Sequence, residues 1–133
     1  MFLYSLNENQ RKSFLAMATK MAMADGHIAV QEVALLQELT DAFGDDLDVP
    51  AEEVYGAINV TPFDTRASRV LTLVGMIVIA KVDHHIHVDE STVIQEVTEA
   101  FNFSDEDCQR LTEWAEKEAA LFNEINAIID DMG

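Results

Sequence analysis

An aspartate, a histidine and a glutamate recur at one spacing in two places, Asp25-x-His27-Ile28-x-Val30-x-Glu32 and Asp83-x-His85-Ile86-x-Val88-x-Glu90. The offset between them is constant (83 − 25 = 58), and ten of the nineteen residues from Asp25 to Phe43 are identical to their partners in Asp83 to Phe101. Four carboxylates from two related loops form a set of hard oxygen donors. If the loops meet, Asp25, Glu32, Asp83 and Glu90 could hold one divalent cation, with waters and main-chain carbonyls completing its shell. Read as a twelve-residue calcium loop from Met21, the first copy matches the fifth, sixth, eighth and twelfth places with Asp25, Gly26, Ile28 and Glu32. The first and third ligand places fail, since they hold Met21 and Met23 here and Ile79 and Lys81 in the second copy. One loop alone is therefore too poor in oxygen donors for calcium, and the pair is the unit to consider.

The second copy, Asp83-His84-His85-Ile86-His87-Val88-Asp89-Glu90, adds His85, His87 and Asp89 as secondary ligand candidates that a transition metal could use. No HExxH, CxxC or Glu-x-x-His pair accompanies them, so calcium, magnesium or manganese stand ahead of zinc. A purely structural reading accounts for the same residues. Asp-Gly ends helices, and a first-turn Glu is favoured by exposed N–H groups and the macrodipole. Ile28, Val30, Ile86 and Val88 are then core plugs.

The elements that must position these loops read as helices. Ser5 with Glu8, or Asn7 with Gln10, is a capping-box signature, and Phe14, Leu15, Ala18, Met21 and Ala22 follow at helical spacing to about Ala24. Asp25-Gly26 ends that helix, and a second runs from Val30 to a stop at Gly44. Pro50 opens a short third helix through Val54, Tyr55 and Ile58, and Thr61-Pro62 with Asp64 starts a fourth. The body of this fourth helix, from Arg66 to Val82, is apolar on nearly all sides and reads as the most buried element. Val88 to Phe101 mirrors the second helix, with Asn102 in place of Gly44. Ser104 and Asp107 cap a last region from Asp105 to Met132, one helix or two meeting near Leu121 to Asn123. Its Leu111, Trp114, Ala115, Ala119, Phe122, Ile125 and Ile129 recur at helical spacing throughout. No stretch alternates with period two. The expected fold is a single all-α domain over residues 1–133, built of two pseudo-symmetric helix-loop-helix-helix repeats at about 7–58 and 62–120.

The 133 residues suffice for one core, and 25 acidic against 8 basic residues leave a net charge of −17. Such a surface repels nucleic acid and anionic lipid and gathers cations. The single Cys108 excludes an internal disulfide and reads as a small core residue. The N-terminus lacks a basic, apolar leader, and the run from Val70 to Ala80 is too short to span a bilayer, so a cytoplasmic protein without membrane insertion is expected. Without a glycine-rich phosphate loop, a nucleophile elbow or a Cys/His pair, no enzyme is expected.

The segments ADGHIAVQE and KVDHHIHVDE, each joining two helices, resemble the tellurite-resistance TerB-like proteins of bacteria, small all-helical domains with an internal duplication. The resemblance runs over nearly the whole chain and departs from the pattern at His84, where glycine is usual. It implies a divalent-metal-binding module of stress physiology with Asp25, Glu32, Asp83 and Glu90 as ligands. It also implies a protein partner, as in membrane-associated or multi-protein stress complexes. The reading that competes with it is an acidic interaction adaptor without bound metal, whose charge docks a basic partner.

Overall fold

The computed structural model describes the backbone of residues 5–23, 30–43, 56–82 and 88–133, and their side chains except at 30–35, 43 and 88–90. The fold is all-α, with no strand among the described residues. The helices are α1 (Glu8–Ala22), α2 (Val30–Phe43), α3 (Arg66–Lys81), α4 (Val88–Ala100) and α5 (Asp105–Met132). Residues 44–55, where Pro50, Val54 and Tyr55 suggested a short helix, lie outside the described residues. Ile58 belongs to no helix, since 56–64 is irregular.

Three helix starts are closed by reciprocal capping boxes, which satisfy backbone N–H groups that a helix end leaves bare. At α1 the box is Asn7 with Gln10, not Ser5 with Glu8: Asn7 Oδ1 accepts from the Gln10 N–H and Gln10 Oε1 from the Asn7 N–H, both at 2.9 Å. Ser104 and Asp107 do the same for α5 at 3.1 and 3.4 Å. At α3 the cap is Thr65, paired with Ser68 at 3.1 and 3.3 Å, and not Thr61 as the Thr-Pro dipeptide suggested. Phe63 explains the shift. Its ring is fully buried and its N–H donates to the Val60 carbonyl at 3.1 Å, so Thr61-Pro62 is used up in a turn that drives Phe63 inward before the helix begins.

The end of α4 shows what Asn102 is for. Its φ of 62° is left-handed, which Asn tolerates better than most residues. The Asn102 N–H donates to the Glu99 carbonyl and the Phe103 N–H to the Thr98 carbonyl, the Schellman pattern that closes a helix C-terminus. The turn sets Phe101 against Phe63, rings 5.6 Å apart and edge to face, and Phe103 against Phe101 at 6.2 Å.

Helix α3 packs against all four other helices, and α1 against α2, α3 and α4. Ten of the sixteen residues of α3 are buried, and so are nine of the fifteen of α1. Helix α3 is thus the most buried helix among the described side chains, as expected, and α1 follows it closely. Small side chains explain α1: Ser13, Ala16, Ala18 and Ala22 let neighbours approach closely, and buried Gln10 is satisfied by Asn7, the Pro62 carbonyl at 3.1 Å and Asp64 at 3.4 Å. Asp105 to Met132 is one continuous helix of 28 residues, with no break near Leu121 to Asn123. Its first half lies along α3, held at the margins by Arg66–Asp107 at 3.3 Å and Lys81–Glu116 at 3.0 Å. Cys108 is half-buried, beside Ile77 and Ile94, rather than fully in the core. No helix among the described residues is long and apolar enough to cross a membrane.

Candidate functional site

Of the seven ligand candidates, Asp25, Asp83, His85 and His87 lie outside the described residues. Glu32, Asp89 and Glu90 are on described helices, but their side chains fall outside the description. What the backbone does place is the register of the helices that carry them. Glu32 is the third residue of α2 and Glu90 the third of α4. The preceding helices keep the same register: α1 begins at Glu8 and α3 at Arg66 (66 − 8 = 58), and α2 begins at Val30 and α4 at Val88 (88 − 30 = 58). Asp25 and Asp83 each stand five residues ahead of a helix start.

The third helical position is where a capping box places its Glu or Gln, so the capping reading can be weighed against the caps that are seen. Each of the three described boxes pairs that third residue with a Ser, Thr or Asn side chain at the cap. Ahead of α2 and α4 the sequence has Ala29 and His87. Alanine has no side-chain acceptor, and histidine is not among the preferred caps. A full reciprocal box is therefore not available to both Glu32 and Glu90, although a first-turn Glu still suits the exposed N–H groups of a helix start. In donor chemistry, four carboxylates suit a hard, oxygen-loving cation. Among the described residues no cluster of three or more His, Cys, Asp and Glu could hold a metal.

The second loop is anchored on its near side. Val82 ends α3 and is fully buried, and its carbonyl accepts from Asn123 Nδ2 of α5 at 2.7 Å. The residue before Asp83 is thus tied to the C-terminal helix.

Two surface features were not read from the sequence. The first is an open groove of about 570 Å³ between α3 and α5, where Arg66, Arg110 and Lys117 gather with Trp114 and Phe103. These are three of the eight basic residues in a chain of net charge −17. Arg66 lies 4.2 Å over the Phe103 ring and pairs with Asp107, so part of this positive charge is already neutralised. Helical spacing brings Arg110, Trp114 and Lys117 to one face of α5, but Arg66 joins them only through the fold. The second is the far half of α5. Ala115 and Ala119 are the only buried residues of the whole helix, whereas Trp114, Ile125 and Ile129, which share its apolar periodicity, are exposed. The signal was present as the 4-3-4 spacing of Leu121, Ile125, Ile128 and Met132, which marks a second apolar face.

A family model described as tellurite resistance protein TerB matches residues 48–113. That span holds α3, α4, the start of α5 and the second loop with Asp83 and Glu90, and leaves Asp25 and Glu32 outside. No curated protein and no solved structure matches the chain.

Proposed function

The chain belongs to the TerB-like tellurite-resistance family, and from that premise we propose a non-enzymatic, cytoplasmic divalent-cation module of a bacterial stress response, built from two pseudo-symmetric repeats. Asp25 and Glu32 of one loop and Asp83 and Glu90 of the other hold the ion, which is calcium, magnesium or manganese. The common register of the helix starts supports the repeats. So does the packing, since α1 on α2 corresponds to α3 on α4, and α1 on α4 to α2 on α3. The observation that carries the cation is the recurrence of Glu32 and Glu90 at the same third helical position, each seven residues after an Asp, without a Ser, Thr, Asn or Asp three residues ahead to complete a reciprocal box. The ion supplies charge neutralisation in a chain of net charge −17 and links the two loops.

Metal-free protein tests this, because the cation and capping readings give opposite signs. Converging carboxylates repel one another without the ion, so Asp83→Asn or Glu90→Gln stabilises the apo form. If the same groups serve as caps, the substitutions destabilise it by about 0.5–2 kcal/mol. With the ion at a hundredfold excess over its dissociation constant, wild type gains about 2.7 kcal/mol and the variants much less. Urea unfolding in chelator and with each ion at fixed ionic strength reads both effects. Variants that lose stability in chelator, beside a wild type indifferent to every ion, leave the acidic adaptor as the function.

A further inference from the structure

We infer that the C-terminal half of α5 is a docking surface for an amphipathic helix of another protein whose apolar seam is flanked by Lys or Arg. Leu121, Ile125, Ile128 and Met132 follow one another at four, three and four residues, the spacing of a seam between paired helices, with Trp114 one heptad ahead of Leu121. These five side chains are 41% to 84% exposed. Among the described residues, every large exposed hydrophobic except Met23 lies on this helix. Apolar exposure concentrated on one stripe, and not scattered singly, marks an interaction site. The helix also leaves the body here. Asn123 is its last half-buried residue, and residues 124–133 are all exposed.

Charge identifies the occupant. In the heptad that places Leu121 and Ile128 at d and Ile125 and Met132 at a, the g positions are Glu124 and Asp131. Beyond Lys117 the helix has four acids, Glu118, Glu124, Asp130 and Asp131, and no Lys, Arg or His. A second copy pairing antiparallel over the whole seam sets Glu124 against Glu124 and leaves Lys117, the g residue of the Trp114 heptad, as the one cation to meet Asp131, and a chain of net charge −17 adds general repulsion. An anionic membrane is repelled by the same acids. A helix with Lys or Arg beside its seam covers the apolar stripe and pairs with both g positions. This surface does not depend on the cation reading and stands or falls separately from it.

The test uses the full chain and two synthetic three-heptad helical peptides with Leu at a and d, one with Lys at e and g and the other with Glu. Trp114 is the only tryptophan, so its emission reports coverage of the seam. The Lys peptide is expected to shift that emission to the blue, saturably, and to bind at least tenfold more tightly than the Glu peptide, less so at high salt. Ile125→Ser with Ile128→Ser weakens it at least tenfold without unfolding the protein, since both side chains are exposed. Glu124→Lys with Asp131→Lys reverses the preference between the peptides. Equal binding of both peptides, binding of neither, concentration-dependent self-association that covers Trp114, or binding to anionic vesicles in place of the peptide overturns the proposal.

Discussion

Helices α1 and α3 occupy corresponding places in the chain and are buried to nearly the same degree, but they reach the centre by different means. At the offset of 58, Leu15 corresponds to Leu73, Ala16 to Val74 and Ala22 to Ala80, all buried. Among the pairs that differ in kind are Lys12 with Val70 and Lys20 with Val78, each a cation against a valine. Val70 lines the groove beside Leu111 and Trp114 of α5, and Val78 is buried on the helix that α5 covers. Lys12 and Lys20 are half-buried on a helix that α5 does not cover in this way, and the Lys20 ammonium reaches the Gly56 carbonyl. The apolar circumference of α3 is therefore the imprint of α5. One helix added after the second repeat makes otherwise equivalent helices unequal.

Exchanging the differing residues breaks this comparison most sharply. Val78→Lys puts an unpaired ammonium into the core and is expected to cost about 3–5 kcal/mol. Lys20→Val gives up only a partly exposed polar contact and stays within about 1 kcal/mol of wild type. Urea unfolding of the two variants measures both. If Val78→Lys is as mild as Lys20→Val, the two positions do not differ in burial as the comparison requires.

Substituting the shared residue sharpens the likeness. Leu15→Ala and Leu73→Ala each remove a buried side chain and are expected to cost about 2–5 kcal/mol. A loss below about 1 kcal/mol at Leu15 alone, by the same unfolding measurement, returns the centre to α3 and makes α1 a covering helix.

Much of this was legible in the residues, and where it was not the reason is physical. Helical periodicity and the caps at Asn7 and Ser104 are local, so they could be read directly. The boundary at α3 could not, because Thr61-Pro62 is as good a local start as Thr65, and only the burial of Phe63 against Phe101, distant in sequence, decides between them. The apolar residues of α5 were legible as apolar but not as two separate faces, since periodicity does not say where the rest of the domain ends. The four carboxylates were legible as a repeated set. Their helical register can be checked on α2 and α4, whereas their side chains lie outside the described residues. The cation therefore rests on repeat, register and donor chemistry.

The turn after α4 offers a smaller contrast between the halves. Asn102 stands where the first copy has Gly44, and its left-handed φ is strained for any side chain. Asn102→Ala is expected to cost about 1 kcal/mol, since alanine lacks the local hydrogen bonding that eases Asn into this conformation. Asn102→Gly is expected to be neutral or slightly stabilising. Thermal unfolding of the two variants orders them, and an Ala variant as stable as the Gly variant means the turn relaxes out of the left-handed region.

The smallest expected effect concerns Thr72, which corresponds to Phe14 of α1. Both residues are fully buried, but Phe14 contributes only apolar surface, whereas the Thr72 hydroxyl has no hydrogen-bond partner among the described residues. A buried hydroxyl without a partner loses its hydration and recovers nothing, at a cost on the order of 1–3 kcal/mol. Thr72→Val replaces it with a methyl group of nearly the same shape and keeps the β-branch, so cavity and rotamer terms are small and the desolvation penalty is removed. The expected result is a gain of about 1 kcal/mol in urea unfolding with an unchanged slope, the sign opposite to that of almost any other substitution in α3. A loss of more than about 0.5 kcal/mol means that the hydroxyl is satisfied, by a buried water or by the Ser68 carbonyl one turn earlier. Polar satisfaction would then be a second respect in which α3 differs from α1, beside the imprint of α5.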